Sequence, residues 1–240
     1  MIPLHDDNPT EITPVVTIGL IVTCVLVFLY QVSLPYPQSQ AFIYQYGAIP
    51  AVVLGYAELP PELRSLPPYG SLVSCMFLHG GWMHLIGNML YLWIFGNNIE
   101  DSMGHLRFIV FYVTCGILAA LSHAFIDPMS EVPMVGASGA ISGVLGAYLL
   151  LFPRAQVMVL IPLGFFTRIM YVPAALVLGL WFLMQVLSGG MSLGRQGGGV
   201  AFFAHIGGFL AGMLLIGFFK HPHVRFFNPP HPHSRSWEEW

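Results

Sequence analysis

Six apolar runs, almost free of charge, recur along the chain, and each can supply roughly the 20 residues that a helix needs to cross about 30 Å of hydrocarbon. They fall at about Ile12–Val32, Gly81–Asn97, Phe108–Ile126, Gly136–Phe152, Met170–Leu187 and Gly199–Phe219. In lipid every backbone N–H and C=O needs a partner within the protein, so runs of this kind become helices packed on one another. The expected fold class is therefore all-α, a polytopic membrane protein with a bundle of six transmembrane helices. Composition agrees: 56% of the 240 residues are hydrophobic and 8% are charged, against about 25% charged in soluble domains. The lipid bilayer is the expected partner, and nucleic acid is not.

The runs divide the chain into an N-terminal tail over 1–11, a six-helix domain over 12–220 and a polar C-terminal tail over 221–240. The first run reads as a retained span, because no Lys or Arg precedes it and no small-residue cleavage site follows it. With a cytoplasmic N-terminus, Arg107, Arg154, Arg168, Lys220, Arg225 and Arg235 lie inside, and only Arg64 and Arg195 lie outside. That asymmetry places both tails in the cytoplasm. A short chain without a transit-like N-terminus is expected in a bacterial inner membrane or an equivalent plasma membrane. Ser33–Ser71 is long for a loop, rich in Pro and Tyr, and is expected as short interfacial helices. The glycine-dense stretch from Gly189 to Gly199 is expected to be mobile. Cys24, Cys75 and Cys115 show no metal-type or redox spacing and read as buried thiols. The tail histidines, His221, His223, His231 and His233, lie among prolines without Cys and read as a solvated tail, so no metal or cofactor is expected.

Chemistry concentrates in three of the runs. Ser138 sits among small residues in Gly136-Ala-Ser-Gly139, with Gly143 one turn on; a stripe of this kind is in most membrane helices a packing seam. The second run carries His84 and Asn88 four residues apart on one helix face, where interhelical hydrogen bonding is the bland alternative to function. The sixth run carries His205 with Gly208 and Gly212 on one face. In a chain with its N-terminus inside, the second, fourth and sixth runs all begin on the outer side. Ser138, His84, Asn88 and His205 then share a depth of roughly 5–12 Å, a coincidence that packing alone does not require. His79 and His123 read as structural, Glu100, Asp101 and Arg107 as a solvated ion pair or cap, and Gln185, the one polar group of the fifth run, as scaffold.

A Ser and a His within hydrogen-bond range form the minimal nucleophile and general base for acyl transfer. No Asp or Glu lies inside the apolar cores to orient His205, so a dyad is expected. The side chains of His84 and Asn88, with the backbone N–H of Ser138, are candidate oxyanion donors. Paired intramembrane aspartates, an H-E-x-x-H zinc motif and a Ser–Lys pair do not occur in the sequence.

Over nearly its whole length the sequence resembles the rhomboids, intramembrane serine proteases, in their basic six-span form. The resemblance rests on Gly136-Ala-Ser138-Gly139, on His84-Leu-Ile-Gly-Asn88, and on His205-Ile-Gly-Gly208 with Gly212. It implies Ser138 as nucleophile, His205 as base, His84 and Asn88 in the oxyanion hole, and transmembrane proteins as substrates. Two positions depart from some members: Ser142 stands where several rhomboids place a Tyr that stacks on the catalytic histidine, and the long first loop lacks a Trp-Arg pair. The rival expectation is a proteolytically inactive relative that binds membrane clients.

Overall fold

A computed structural model describes residues 1–163, 166–193 and 200–229 of the chain. Strand β1 (Ile2–Asp6) is followed by helix α1 (Val15–Ser33), which ends at Leu34 in front of Pro35, whose ring cannot continue a helix. The long loop holds α2 (Tyr36–Tyr46), α3 (Pro50–Val53), two 3₁₀ turns and α4 (Ser71–Ser74), so the expected short helices are present. Then come α5 (Trp82–Met103) and α6 (His105–Ile126), separated only by Gly104, whose φ of 82° reverses the chain in a conformation that side chains disfavour. Helix α7 (Ser138–Leu151), the hairpin β2 (Gln156–Leu163) and β3 (Phe166–Pro173), and helices α8 (Ala174–Ser192) and α9 (Phe202–Phe219) complete the order.

The chain is an all-α polytopic membrane protein. By length and composition α1, α6, α8 and α9 are each able to cross a membrane. Helices α5 and α7 complete the bundle of six, one on each expected run. Apolar side chains that face outward, such as Leu26 on α1, Leu183 on α8 and Leu214 on α9, supply the lipid-facing surface. Helix α7 differs from the others. It has only 14 residues, about 21 Å at 1.5 Å per residue, and falls short of the hydrocarbon thickness. It is also surrounded, being buried along almost all of its length, including Ser142 and Tyr148.

Glycine lets α7 and α9 meet backbone to backbone. A Cβ on Gly208 would collide with the carbonyl oxygen of Gly139, one on Gly212 with that of Gly143, and one on Gly146 with that of Phe209. Close approach of this kind replaces the hydrophobic effect, which cannot drive helix association inside lipid. The five small-residue positions read from the sequence, Gly136, Gly139, Gly143, Gly208 and Gly212, all meet a neighbouring element.

Three local features differ from the sequence-based expectation. The segment read as a polar tail contributes β1, which pairs antiparallel with β2 as β2 pairs with β3, giving a three-stranded sheet at the end of the bundle away from Ser138. Val157, Val159 and Val172 point from this sheet into the core, and β3 takes the residues expected to begin the fifth span, so α8 starts at Ala174. Of the two readings of Glu100, a cap and a solvated ion pair, the structure shows the cap, but buried: its carboxylate accepts the N–H groups of Val16 at 2.9 Å and Thr17 at 2.8 Å and the Thr17 hydroxyl at 2.7 Å, at the start of α1, and pairs with His105 Nδ1 at 2.6 Å. Asp101 receives the N–H groups of Glu11 and Ile12, and Arg107 reaches the Phe219 carbonyl at the end of α9. The stretch after α9 folds back, with the N–H of His221 on the Ser102 carbonyl and those of Phe227 and Asn228 on Leu150 and Leu151. His231, His233 and most of the glycine-dense stretch before α9 lie outside the described residues.

Asp6 ties the sheet to the bundle. It is 3% exposed and accepts a hydrogen bond from the Tyr148 hydroxyl on α7 at 2.5 Å. Burial pushes its carboxyl up to about 7; the Tyr148 bond opposes that shift and neighbouring Asp7 adds to it. Between the unfolded value of 3.8 and about 7, the folded state holds a proton that the unfolded state has released. Stability from this group is therefore full below that window and lost as pH rises through it. In detergent the thermal unfolding midpoint is expected to fall between pH 5 and pH 8, with Asp6 contributing on the order of 1–3 kcal/mol. Asp6→Asn should remove that part of the slope, and equal slopes in the two proteins would exclude this role.

Candidate active site

Ser138 is the first residue of α7, so its backbone N–H belongs to the unpaired first turn of a helix that no side chain caps. Because α7 is short, that turn lies below the end of the bundle rather than at its rim. His205 is the fourth residue of α9 and is brought to Ser138 by the glycine contacts one and two turns further along both helices. Its Nε2 lies 2.8 Å from Ser138 Oγ. The other ring nitrogen, Nδ1, lies 2.8 Å from Gln185 Oε1 on α8. A carboxamide oxygen accepts only, so Nδ1 carries the proton and Nε2 is the acceptor for the Ser138 hydroxyl. Ser138 and His205 thus stand in the arrangement that proton abstraction from a serine requires.

His84 and Asn88 come from the first two turns of α5. The Gly80 N–H donates to His84 Nδ1 at 3.3 Å, which leaves the ring proton on Nε2. The His84 Nε2–H points at Gly136: a Cβ added there would lie 2.7 Å from His84 Nε2 and 3.5 Å from Asn88 Nδ2. Gly136 has a φ of 124°, and this loop conformation sets both donors against the backbone two residues before Ser138. Asn88 is 8% exposed, and its Nδ2 is buried without a hydrogen-bond partner among the described residues. A buried amide donor without an acceptor costs about 1–3 kcal/mol, and a donor kept in that state beside a serine is suited to an oxygen that arrives with a substrate.

A cavity of about 40 Å³ opens beside Ser138. Its walls include Gly116, Ala119, Ala140 and Ala204, with Met76 and Met134. Cys75 also lines it, and burial pushes that thiol up to about 12, so it stays protonated and is no competing nucleophile. His79 packs edge-on to His84 with ring centroids 5.3 Å apart. Burial first, and His84 second, push His79 down to about 4, so it is neutral near pH 7 and adds no charge beside the site. Among the described residues no three His, Cys, Asp or Glu side chains are grouped to hold a metal ion.

The structure thus brings together all four residues singled out in the sequence. Two more were missed. Gln185, read as scaffold, hydrogen-bonds to His205, and Trp181, one turn earlier on α8, packs against the His205 ring with centroids 5.8 Å apart. Ser142 does not reach the histidine; its hydroxyl donates to the Ser138 carbonyl at 2.6 Å, within α7. A lone polar residue in an otherwise apolar span was the available signal for Gln185.

A family model described as Rhomboid domain matches residues 68–222, well over half of the chain. A similar stretch in RHOMBOID-like protein 5 of Arabidopsis thaliana is 42% identical over 78 residues, covering 32% of this chain and 25% of that protein. Rhomboid protein 1, mitochondrial, of Saccharomyces cerevisiae is 29% identical over 189 residues, covering 72% of this chain and 51% of that protein. Rhomboid protease GluP of Bacillus subtilis is 40% identical over 78 residues, covering 32% of this chain and 15% of that protein. The matches span about half or less of the length of these curated relatives.

The environment of Gly136 generates a test that needs no substrate. Gly136→Ala forces a side chain into the His84 ring and a disfavoured φ, so the modification of Ser138 by a fluorophosphonate should slow by on the order of 10²-fold, as for the loss of one donor. Labelling at the wild-type rate in a folded Gly136→Ala protein would show that His84 and Asn88 do not act on the serine.

Proposed function

The chain belongs to the rhomboid family, and from that premise we propose that it is an intramembrane serine endopeptidase that hydrolyses peptide bonds in or beside transmembrane segments of other proteins. The observation that carries this reading is the 2.8 Å contact between Ser138 Oγ and His205 Nε2 at the recessed start of α7. In the proposed reaction Ser138 Oγ attacks the scissile carbonyl carbon while His205 Nε2 takes its proton. The oxyanion of the tetrahedral intermediate receives hydrogen bonds from the Ser138 N–H, His84 Nε2–H and Asn88 Nδ2–H. Collapse breaks the C–N bond, and His205 returns the proton to the leaving amine. Water, deprotonated by His205, then releases the acyl chain from Ser138. The rival reading, an inactive relative that only binds clients, leaves the paired Ser138 and His205 without a purpose.

Both tails are proposed to be cytoplasmic. Arg107, Arg154 and Lys220 all lie toward the sheet end of the bundle, so Ser138 opens toward the other side of the membrane, for which a bacterial inner membrane is the proposed setting. A substrate helix hides its carbonyls in hydrogen bonds and must unwind before attack, which is least costly near water and at Gly or Pro. The small cavity beside Ser138, walled by Gly116, Ala119 and Ala140, favours a residue such as Ala before the cut.

Fluorophosphonate labelling of the wild-type protein, lost in Ser138→Ala, is the direct test; labelling that survives the substitution removes Ser138 as nucleophile. His205→Ala should reduce cleavage by on the order of 10³-fold or more. In a client series, Ala to Leu before the cut, or a downstream Gly or Pro to Leu, should slow cleavage. Products mapped by mass spectrometry to the cytoplasmic end of the client would contradict the topology.

A further inference from the structure

Resting on the protease reading, we infer that Gln185 is a positioning residue for the general base: its carboxamide oxygen holds the His205 ring in the one tautomer and orientation that can accept the Ser138 proton. Four observations on α7, α8 and α9 support this. His205 Nδ1 stands 2.8 Å from Gln185 Oε1 while Nε2 stands 2.8 Å from Ser138 Oγ, so both ring nitrogens are committed, one to each neighbour. Trp181, four residues earlier and therefore on the same face of α8, lies against the imidazole at a centroid distance of 5.8 Å and a tilt of 36°. The same indole meets Phe209 at 6.1 Å, and Phe182 stacks on Phe209 at 4.5 Å, which fixes the face of α8 against α9 one turn beyond His205. Ser142, the residue on α7 best placed by sequence to touch the ring, is turned away and bonded to its own helix.

An unconstrained neutral imidazole divides between two tautomers, and the one protonated at Nε2 cannot take the serine proton. An acceptor at Nδ1 removes that loss. Gln supplies the acceptor without a formal charge, which matters at a depth where an isolated carboxylate is costly. The absence of any acidic residue in the apolar cores of the sequence is thereby reconciled with an oriented base. The proton itself moves only between Ser138, His205 and the leaving amine; Gln185 neither gains nor loses one.

The test uses the full chain in detergent with ¹⁵N-labelled histidine, resolving His205 by its loss in His205→Ala. In the wild type His205 should show a protonated Nδ1 and an unprotonated Nε2. Gln185→Met, close in shape but without an acceptor, should show both tautomers and lower kcat by about 10- to 100-fold with KM changed less than about 2-fold. Gln185→Glu keeps an acceptor oxygen on a side chain of the same length and, held neutral by apolar surroundings that disfavour its charge, should recover the single tautomer and part of kcat relative to Gln185→Met. Matching unfolding midpoints show that the variants are folded. A Gln185→Met protein with the wild-type tautomer and kcat overturns the inference, as does failure of Gln185→Glu to recover either in a folded protein. Absence of fluorophosphonate labelling in the wild type would defeat the protease reading, while the tautomer measurement would still decide what Gln185 does to His205.

Discussion

The contact on which the rest depends is the meeting of α7 and α9 through bare backbone. Side chains larger than hydrogen at Gly146, Gly208 or Gly212 would hold the two helices apart, and no apolar driving force in lipid would compensate. The Ser138–His205 distance is set by that seam, because the two residues sit at the same end of it. So is the burial of α7, which leaves its first turn recessed and its uncapped N–H groups facing an enclosed space. The small stripe is a packing seam, as such stripes are in most membrane helices, and it is the seam that puts the serine where chemistry is available.

Charge is segregated along the bundle. Glu100, Asp101, Asp6 and Asp7 work at the sheet end as caps and strand anchors, whereas the groups in contact around Ser138 are a hydroxyl, imidazoles and carboxamides. Neutral dipoles pre-aimed in a poorly solvated space stabilise developing charge without the cost of burying an ion beforehand. Asn88 illustrates the arrangement, since its unpartnered amide is a local cost to stability tolerated next to the serine.

The helices and four of the site residues were legible in the sequence for a physical reason. Lipid forces each span to satisfy itself locally, so apolar length reveals it, and polar groups such as His84, Asn88 and His205 stand out against an apolar background. The place of β1 in the sheet was not legible because its pairing is non-local, whereas the β2–β3 hairpin is a local pairing whose apolar strands were read as a connector and the start of the fifth span. Gln156–Leu163 reads as an apolar connector until Ile2–Asp6 is known to lie beside it. Gln185 was read as scaffold, because its partner is 20 residues away on the next helix and nothing in the period of α8 indicates which neighbour its face meets. Glu100 was read as a cap or ion pair but not as buried, since the N–H groups it caps, those of Val16 and Thr17, precede it by more than eighty residues.

The pairing of β1 with β2 also has a consequence for biosynthesis. Ile2 faces Leu160, so β1 has its partner more than 150 residues downstream. At about 5–20 residues per second, the ribosome takes on the order of ten seconds or more to deliver that partner. During this interval α1 through α7 are made while β1 lacks the strand it pairs with. Closing the sheet therefore waits until α1 through α7 have all been made, and it brings the Asp6 carboxyl of β1 to Tyr148 on the helix that carries Ser138.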